Sequence, residues 1–347
     1  MMKRILVTGS EGYIGSVLMP ILLKEGYDAV GLDTCFFSDG NLTNAELQAY
    51  KLIRKDIRDI DVLDLEGYDA VVHLAALSND PLGKINEELT YEINYLASVQ
   101  LAKNAKLAGV KKFIFSSSCS LYGASDRRLT EEDNANPQTA YGKSKILAEK
   151  DISLLADKDF CPVYLRNATA FGISPRMRFD IVVNSLTGFA KTEGIIKILG
   201  DGTPWRPLVH VKDICKAILL SLKAPSETIS NQAFNIGSSN ENYQIKTIAQ
   251  KVKEIYPKCE IKIMTKNDGD TRNYAVSFAK AEKLLCFKSD YTLDEGAKKI
   301  AEVYEKCHLT KEIFESRLYT RLKQIEMLKH EKKITPDLRW QEEKVTV

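Results

Sequence analysis

The chain has 347 residues, a formal net charge of +2, 44% hydrophobic residues and 28% charged ones. That length and balance suit a folded protein with a large core, built as one α/β unit or as two unequal lobes, and exclude a disordered chain. The small net charge gives no long-range field to gather nucleic acid, and no stretch approaches the roughly 20 apolar residues of a bilayer span.

Residues 5–8 are predicted to form a buried parallel strand, because a β-branched and leucine run stops abruptly at Gly9. This run follows Met-Met-Lys-Arg but is too short for the apolar core of a secretory leader. Ile14, Val17, Leu18, Ile21 and Leu22 recur at helical spacing and predict a helix over 13–25, ended by Gly26. A second strand over 29–32 runs into Asp33. Strands are predicted again at 51–56, 70–74, 112–116 and 163–166, with helices at 90–108 and 139–155. Strands joined through helices imply a mostly parallel sheet covered on both faces.

Beyond Ala170 the pattern loosens, with helices predicted at 179–192, 211–222 and 245–256 and short strands at 195–199, 234–237 and 261–264. The expected organisation is a dinucleotide-binding domain over 1–170, to which about 205–240 returns, and a smaller mixed α/β lobe over 171–310 that binds substrate. A helical extension follows over 311–347. In it Ile313, Phe314, Leu318, Leu322, Ile325 and Leu328 lie among Lys, Glu and Arg, as in an amphipathic helix packed on its own domain or on a partner subunit. Seven cysteines without a close pair read as reduced thiols, and the expected location is cytoplasmic, away from membranes.

Gly9, Gly12 and Gly15 have the spacing of a phosphate-binding turn, in which backbone approaches a pyrophosphate and a helix packs close on a strand. Three glycines alone are weak evidence. Their position between a strand and a helix, with Asp33 ending the next strand, makes the fold expectation a Rossmann-type doubly wound parallel sheet that binds a dinucleotide. Asp33 can accept from ribose hydroxyls and would repel a ribose phosphate, so NAD is favoured over NADP. Asp56 and Ile57 are placed to border the adenine, and the small side chains of Leu74-Ala75-Ala76 to let the cofactor lie close to the backbone.

Tyr141 and Lys145 stand four apart on one helical face, where an ammonium favours the phenolate that takes a proton from an alcohol. Ser118, at a strand end, could reach the same oxygen. The histidines at 73, 210, 308 and 330 are dispersed, and no residue cluster has zinc spacing, so no metal is expected. His210 and Cys119 read as packed residues.

Gly9 to Gly15, Asp33, Ser118, Tyr141-Gly-Lys-Ser-Lys145 and Trp205-Arg206-Pro207-Leu208-Val209-His210 together resemble the extended short-chain dehydrogenase/reductase family, in its nucleotide-sugar epimerase/dehydratase branch, and most closely UDP-glucose 4-epimerase-like members. The resemblance implies a tightly held NAD, a nucleoside diphosphate sugar substrate, a homodimer, and Ser118, Tyr141 and Lys145 as catalytic residues. It adds Tyr13, Ile14, Asn94, Ala168 and Thr169 around the cofactor, and Asn167, Asn184, Arg206 and Arg272 around the substrate. Arg176 and Arg178 could meet a substrate phosphate or sugar carboxylate, or bridge the lobes. Dehydratases of the branch carry an Asp-Glu pair where this chain has Cys119-Ser120, and two-site epimerases carry a cysteine where it has Ser120. The expectation that remains is C4 epimerisation, with a one-way 4-dehydrogenase or 4-ketoreductase as the alternative.

Overall fold

The structure, a computed structural model, describes residues 3–43, 49–78, 86–264 and 272–341. Seven strands form its main sheet: β1 (Arg4–Thr8), β2 (Asp28–Asp33), β3 (Lys51–Arg54), β4 (Ala70–His73), β5 (Lys112–Ser118), β6 (Cys161–Asn167) and β7 (Gln232–Ile236). All neighbours pair in parallel, in the order β3-β2-β1-β4-β5-β6-β7. The order reverses at β1, and the carboxyl ends of β1 and β4 diverge into a crevice there.

The strands alternate two apolar faces. Ile5 and Val7 of β1 pack in one layer with the helices Gly15–Lys24 and Val211–Lys223, while Leu6 packs in the other with Ala97–Leu107 and Ala140–Ser153. A sheet buried on both faces needs apolar residues at odd and even positions alike, which is why these strands read as continuous runs.

Three elements differ from the sequence expectation. The helix expected over 90–108 is Glu87–Tyr91 and Ala97–Leu107 joined by a π-helical turn, Glu92–Leu96, and that wider turn carries Asn94. The helix expected from Phe179 begins at Val182; Phe179 is instead a core ring against Tyr304, Phe314 and Tyr319. The C-terminal extension is not one helix but Lys311–Glu315, Arg317–Tyr319 and Arg321–His330, followed by a β-bridge between Ile334 and Trp340.

The smaller lobe holds a three-stranded sheet of Thr169–Phe171, Trp205–His210 and Asn242–Gln244, and a parallel pair, Ile195–Leu199 with Glu260–Met264. Between them the chain returns to the main sheet to add β7 beside β6. Among the described residues no helix is long and apolar enough to cross a membrane.

Gly9 has φ of 76°, and a Cβ on it would sit 2.7 Å from the Ala75 nitrogen. The turn therefore approaches the end of β4 as closely as backbone atoms allow. Gly9→Ala is expected to lose at least the left-handed backbone cost of about 1–2 kcal/mol, plus the displacement of Ala75. Urea denaturation measures this, and an unchanged midpoint would contradict the close approach.

Candidate active site

Parallel strands end at one edge, and there β1, β2, β4, β5 and β6 deliver the chain to a cavity of about 1000 Å³. Gly9, Gly12, Tyr13, Ile14 and Gly15 line it beside Leu74, Ala75 and Ala76, with Asp33, Asp56 and Ile57 at one end. Ser118, Tyr141, Lys145, Asn167, Ala168 and Thr169 line its middle, and Arg206 and Arg272 belong to the wall from the smaller lobe.

The glycine turn fits a dinucleotide on its own geometry. A Cβ on Gly15 would collide with the Gly9 carbonyl, so the helix starts against the strand turn. No side chain caps that helix, and its first turn carries no acidic residue, which leaves its positive end open to a phosphate. The Asp33 carboxylate accepts from the N–H groups of Glu11 (3.0 Å) and Cys35 (2.7 Å) and still faces the cavity. Loss of water raises its pKa, against which the two N–H donors act. Asp56 is held by Arg58 at 2.8 Å.

The reactive groups sit on the helix Ala140–Ser153, whose N-cap Thr139 accepts from the Gly142 N–H. Lys145 is 3% exposed. Its Nζ donates to the Ser116 carbonyl at 2.7 Å, lies 4.7 Å from the Phe115 ring centroid and 5.9 Å from that of Tyr141. Burial pulls its pKa down to about 7, with Glu149 opposing. Ser118 Oγ accepts from the Ser120 N–H, and Asn167 Nδ2 donates to Ser116 Oγ at 3.0 Å. Asn167 Oδ1 and Ser120 Oγ are buried without a hydrogen-bond partner among the described residues, and both residues line the cavity. A phenol beside a desolvated ammonium, with spare hydroxyl and amide groups around it, can exchange a proton with an alcohol.

Three expected contacts lie off the cavity. Asn94 spends its amide on the backbone of Leu77, accepting from its N–H at 2.7 Å and donating to its carbonyl at 3.1 Å. It shapes the 74–78 loop that the cavity touches. Asn184 is fully buried and binds the Gly172 N–H and the carbonyls of Gly172 and Arg178; the next residue, Ser185, lines the cavity instead. Arg176 pairs with Glu11 of the glycine turn and donates to the carbonyls of Ser38 and Gly40, so it bridges the lobes. Arg178 pairs with Asp180 at 2.8 Å, and both line the cavity.

The sequence reading missed Ser120, Ser185, Arg321, Ile325 and Leu338 as cavity residues. Of these only Ser120 carried a local signal, since it follows a strand end two residues after Ser118. His210 stacks on Tyr291 at 4.1 Å and burial lowers its pKa to about 4. The Cys119 thiol is fully buried, donates to the Arg166 carbonyl and is pushed well up by burial, which removes it as a nucleophile.

The model of the NAD dependent epimerase/dehydratase family matches residues 5–237. The chain is 29% identical over 309 residues to a UDP-glucose 4-epimerase of Corynebacterium glutamicum, covering 83% of this chain and 92% of that one. Among solved structures, the Thermotoga maritima UDP-glucose 4-epimerase with UDP-glucose superposes with a TM-score of 0.78 at 26% identity, over 88% of this chain and 100% of the other. The Bacillus cereus UDP-glucuronic acid 4-epimerase, in complex with UDP-glucuronic acid and NAD, gives 0.78 at 26% identity, over 87% and 99%.

The folded pKa of Lys145 lies below the usual lysine value, so the unfolded chain binds more protons between about pH 7 and 10 and stability rises across that window. Lys145→Met removes this charge. In nucleotide-stripped protein its stability relative to wild type is expected to be greatest at pH 6 and to decline as the pH is raised from 7 to 10. Denaturant titrations at several pH values would read this, and a pH-independent difference would show that the ammonium is not desolvated.

Proposed function

The chain belongs to the NAD dependent epimerase/dehydratase family, and we propose that it inverts C4 of a UDP-linked hexose or hexuronic acid. Its cofactor is NAD, which when bound takes a hydride from a sugar carbon and gives it back. One observation carries the reading: a single cavity joins the glycine turn and Asp33 to Ser118, Tyr141 and Lys145, and continues to Arg206 and Arg272.

Tyr141 takes the C4 hydroxyl proton and later returns it. Lys145 holds the phenolate form and faces the nicotinamide ribose. Ser118 orients the sugar hydroxyl, with Ser120 and Asn167 offering further donors and acceptors. Ala168 and Thr169 border the nicotinamide. Arg206 donates through Nη1 to the carbonyls of Trp205 and Arg272, which sets the two arginine residues side by side in the cavity wall, where they would meet a substrate diphosphate. The glycine turn receives the cofactor pyrophosphate, Asp33 the adenosine ribose, and Asp56 and Ile57 the adenine.

Elimination of water needs an acid and a base at the sugar. Among the described residues, the carboxylates that line the cavity are Asp33, Asp56 and Asp180. Asp56 is tied to Arg58, Asp180 to Arg178, and Asp33 to the backbone of Glu11 and Cys35. That distribution supports hydride exchange with a single acid/base tyrosine.

The test is NMR of the purified protein, without added cofactor, against UDP-, GDP-, CDP- and dTDP-sugars. Inversion at C4 of a UDP-sugar on copurified NAD is expected; stoichiometric NADH with a released ketosugar would mean a one-way dehydrogenase. Tyr141→Phe should keep its NAD and lose about 10²–10⁴-fold in kcat. Near-wild-type turnover in that variant would remove Tyr141 from the mechanism.

A cytoplasmic homodimer suits the seven free cysteines and the exposed Leu107 and Leu147 on the paired helices Ala97–Leu107 and Ala140–Ser153, with exposed Leu96 just before the first and Leu154 just after the second. Sedimentation of soluble protein at twice the chain mass is the expected outcome, and a single-chain mass at micromolar concentration would refute the dimer.

A further inference from the structure

Arg321 opens the C-terminal helix Arg321–His330, is 3% exposed and lines the cavity. Its guanidinium lies 4.1 Å from the Phe37 ring centroid. Nη2 is buried without a hydrogen-bond partner among the described residues. The neighbouring arginines each pair with a carboxylate, Arg176 with Glu11 and Arg178 with Asp180, although Arg176 Nε is also left without a partner among the described residues. Burial first, and then Arg178, lower the Arg321 pKa to about 9, so the charge persists at neutral pH in a place that disfavours it. This corner of the cavity thus holds a buried cationic donor that no protein group accepts from among the described residues.

Its position names the anion. Asp33 and Asp180 both act on Arg321, and Arg178 beside it acts in turn on Tyr13 and Tyr141. Arg321 packs on Phe37, four residues past Asp33 at the end of β2, and Arg178 beside it donates to Ser78 Oγ past the end of β4, so the guanidinium belongs to the interval between those strand ends, where β1 enters the glycine turn. A dinucleotide crosses that interval with its pyrophosphate. We propose that Arg321 binds the pyrophosphate of the cofactor, opposite the glycine turn, and that the segment 321–340 closes over the adenosine half so that NAD stays bound between turnovers.

The closing contacts reach the two loops that border the adenosine end. After β2, the Thr34 carbonyl accepts from Trp340 Nε1 at 2.6 Å and the Phe36 carbonyl from Gln324 Nε2 at 2.9 Å. After β3, Arg58 donates to the carbonyls of Asp337 at 3.0 Å and Leu338 at 3.2 Å. Ile325 and Leu338 add apolar wall. An enzyme that returns its hydride in the same turnover has no need to exchange the cofactor, and this segment resists exchange.

The inference rests on the cofactor lying along the 9–15 turn, and the experiment separates the two. Holoenzyme carrying labelled NAD is diluted into excess ADP-ribose, and release is timed for wild type, Arg321→Met, Arg321→Lys and Asp33→Ala. ADP and adenosine are also compared as displacing ligands. Arg321→Met is expected to release NAD about tenfold to a hundredfold faster, the worth of a charge-assisted hydrogen bond. It should weaken ADP by a similar factor and leave adenosine unchanged, with Arg321→Lys in between. Unchanged release, or equal weakening of ADP and adenosine, overturns the proposal, the second result marking a merely structural arginine. If Asp33→Ala speeds release while Arg321→Met does not, only the arginine proposal fails; if neither does, the cofactor placement fails with it. Should the Met variant not fold, Arg321→Lys decides alone, with wild-type release as the overturning result.

Discussion

The turn from Gly9 to Gly15 is held from two directions, and the rest of the site is arranged around that restraint. Below it, the Gly9 N–H donates to Leu32 and the missing Cβ lets the backbone rest on Ala75. Beside it, the smaller lobe grips the turn directly: Tyr13 Oη donates to the Gly172 carbonyl at 2.7 Å, and Ser174 Oγ to the Tyr13 carbonyl at 2.7 Å. Ser174 also meets Ser16, and Arg176 pairs with Glu11. The third side faces the cavity. A turn fixed to both lobes keeps Arg206 and Arg272 in register with Ser118, Tyr141 and Lys145 along the cavity, since neither lobe can shift without breaking buried polar contacts.

Electrostatics follow from the same confinement. The cavity wall holds Lys145, Arg178, Arg321, Asp33 and Asp180 away from water. Buried charges are costly unless paired, and the opposing signs here are only partly matched by protein groups. Asp180 with Arg178 is a closed pair; Lys145 has the Ser116 carbonyl and the Phe115 and Tyr141 rings but no carboxylate in ion-pair contact among the described residues. The unmatched groups are the ones that face where hydroxyls and phosphates of a ligand would lie. Ligand binding and folding are therefore coupled, and the bound form gains stability that the protein alone lacks.

Beneath the reactive helix, Arg166 and Glu149 form a buried pair at 2.7 Å that also engages Ser117 and Tyr122. This network ties β5, β6 and the helix Ala140–Ser153 together, and so sets the spacing between Ser118, Asn167 and Tyr141. Its role is to position, because none of its charged atoms belongs to the cavity wall.

Local spacing carried much of the site into the sequence. The three glycines, Asp33 at the next strand end, and Tyr141 four residues before Lys145 each depend on contacts within one turn or one strand-helix unit, so their spacing, set in its strand and helix context, pointed to them. Tertiary structure decided the rest. A rotation of about 100° per helical residue separates Asn184, turned into the core, from Ser185 on the cavity, and that phase was set by where the helix begins, at Val182. The π-helical turn that aims Asn94 at Leu77 leaves no distinct mark in the apolar pattern. Arg176 and Arg178 look alike in the chain, yet one meets Glu11 and the other the cavity, because the opposing lobe supplies different neighbours. Arg321 comes to Asp33 and Phe37 from almost 300 residues away, and no periodicity encodes a contact whose partners are joined only by the packing of the whole molecule.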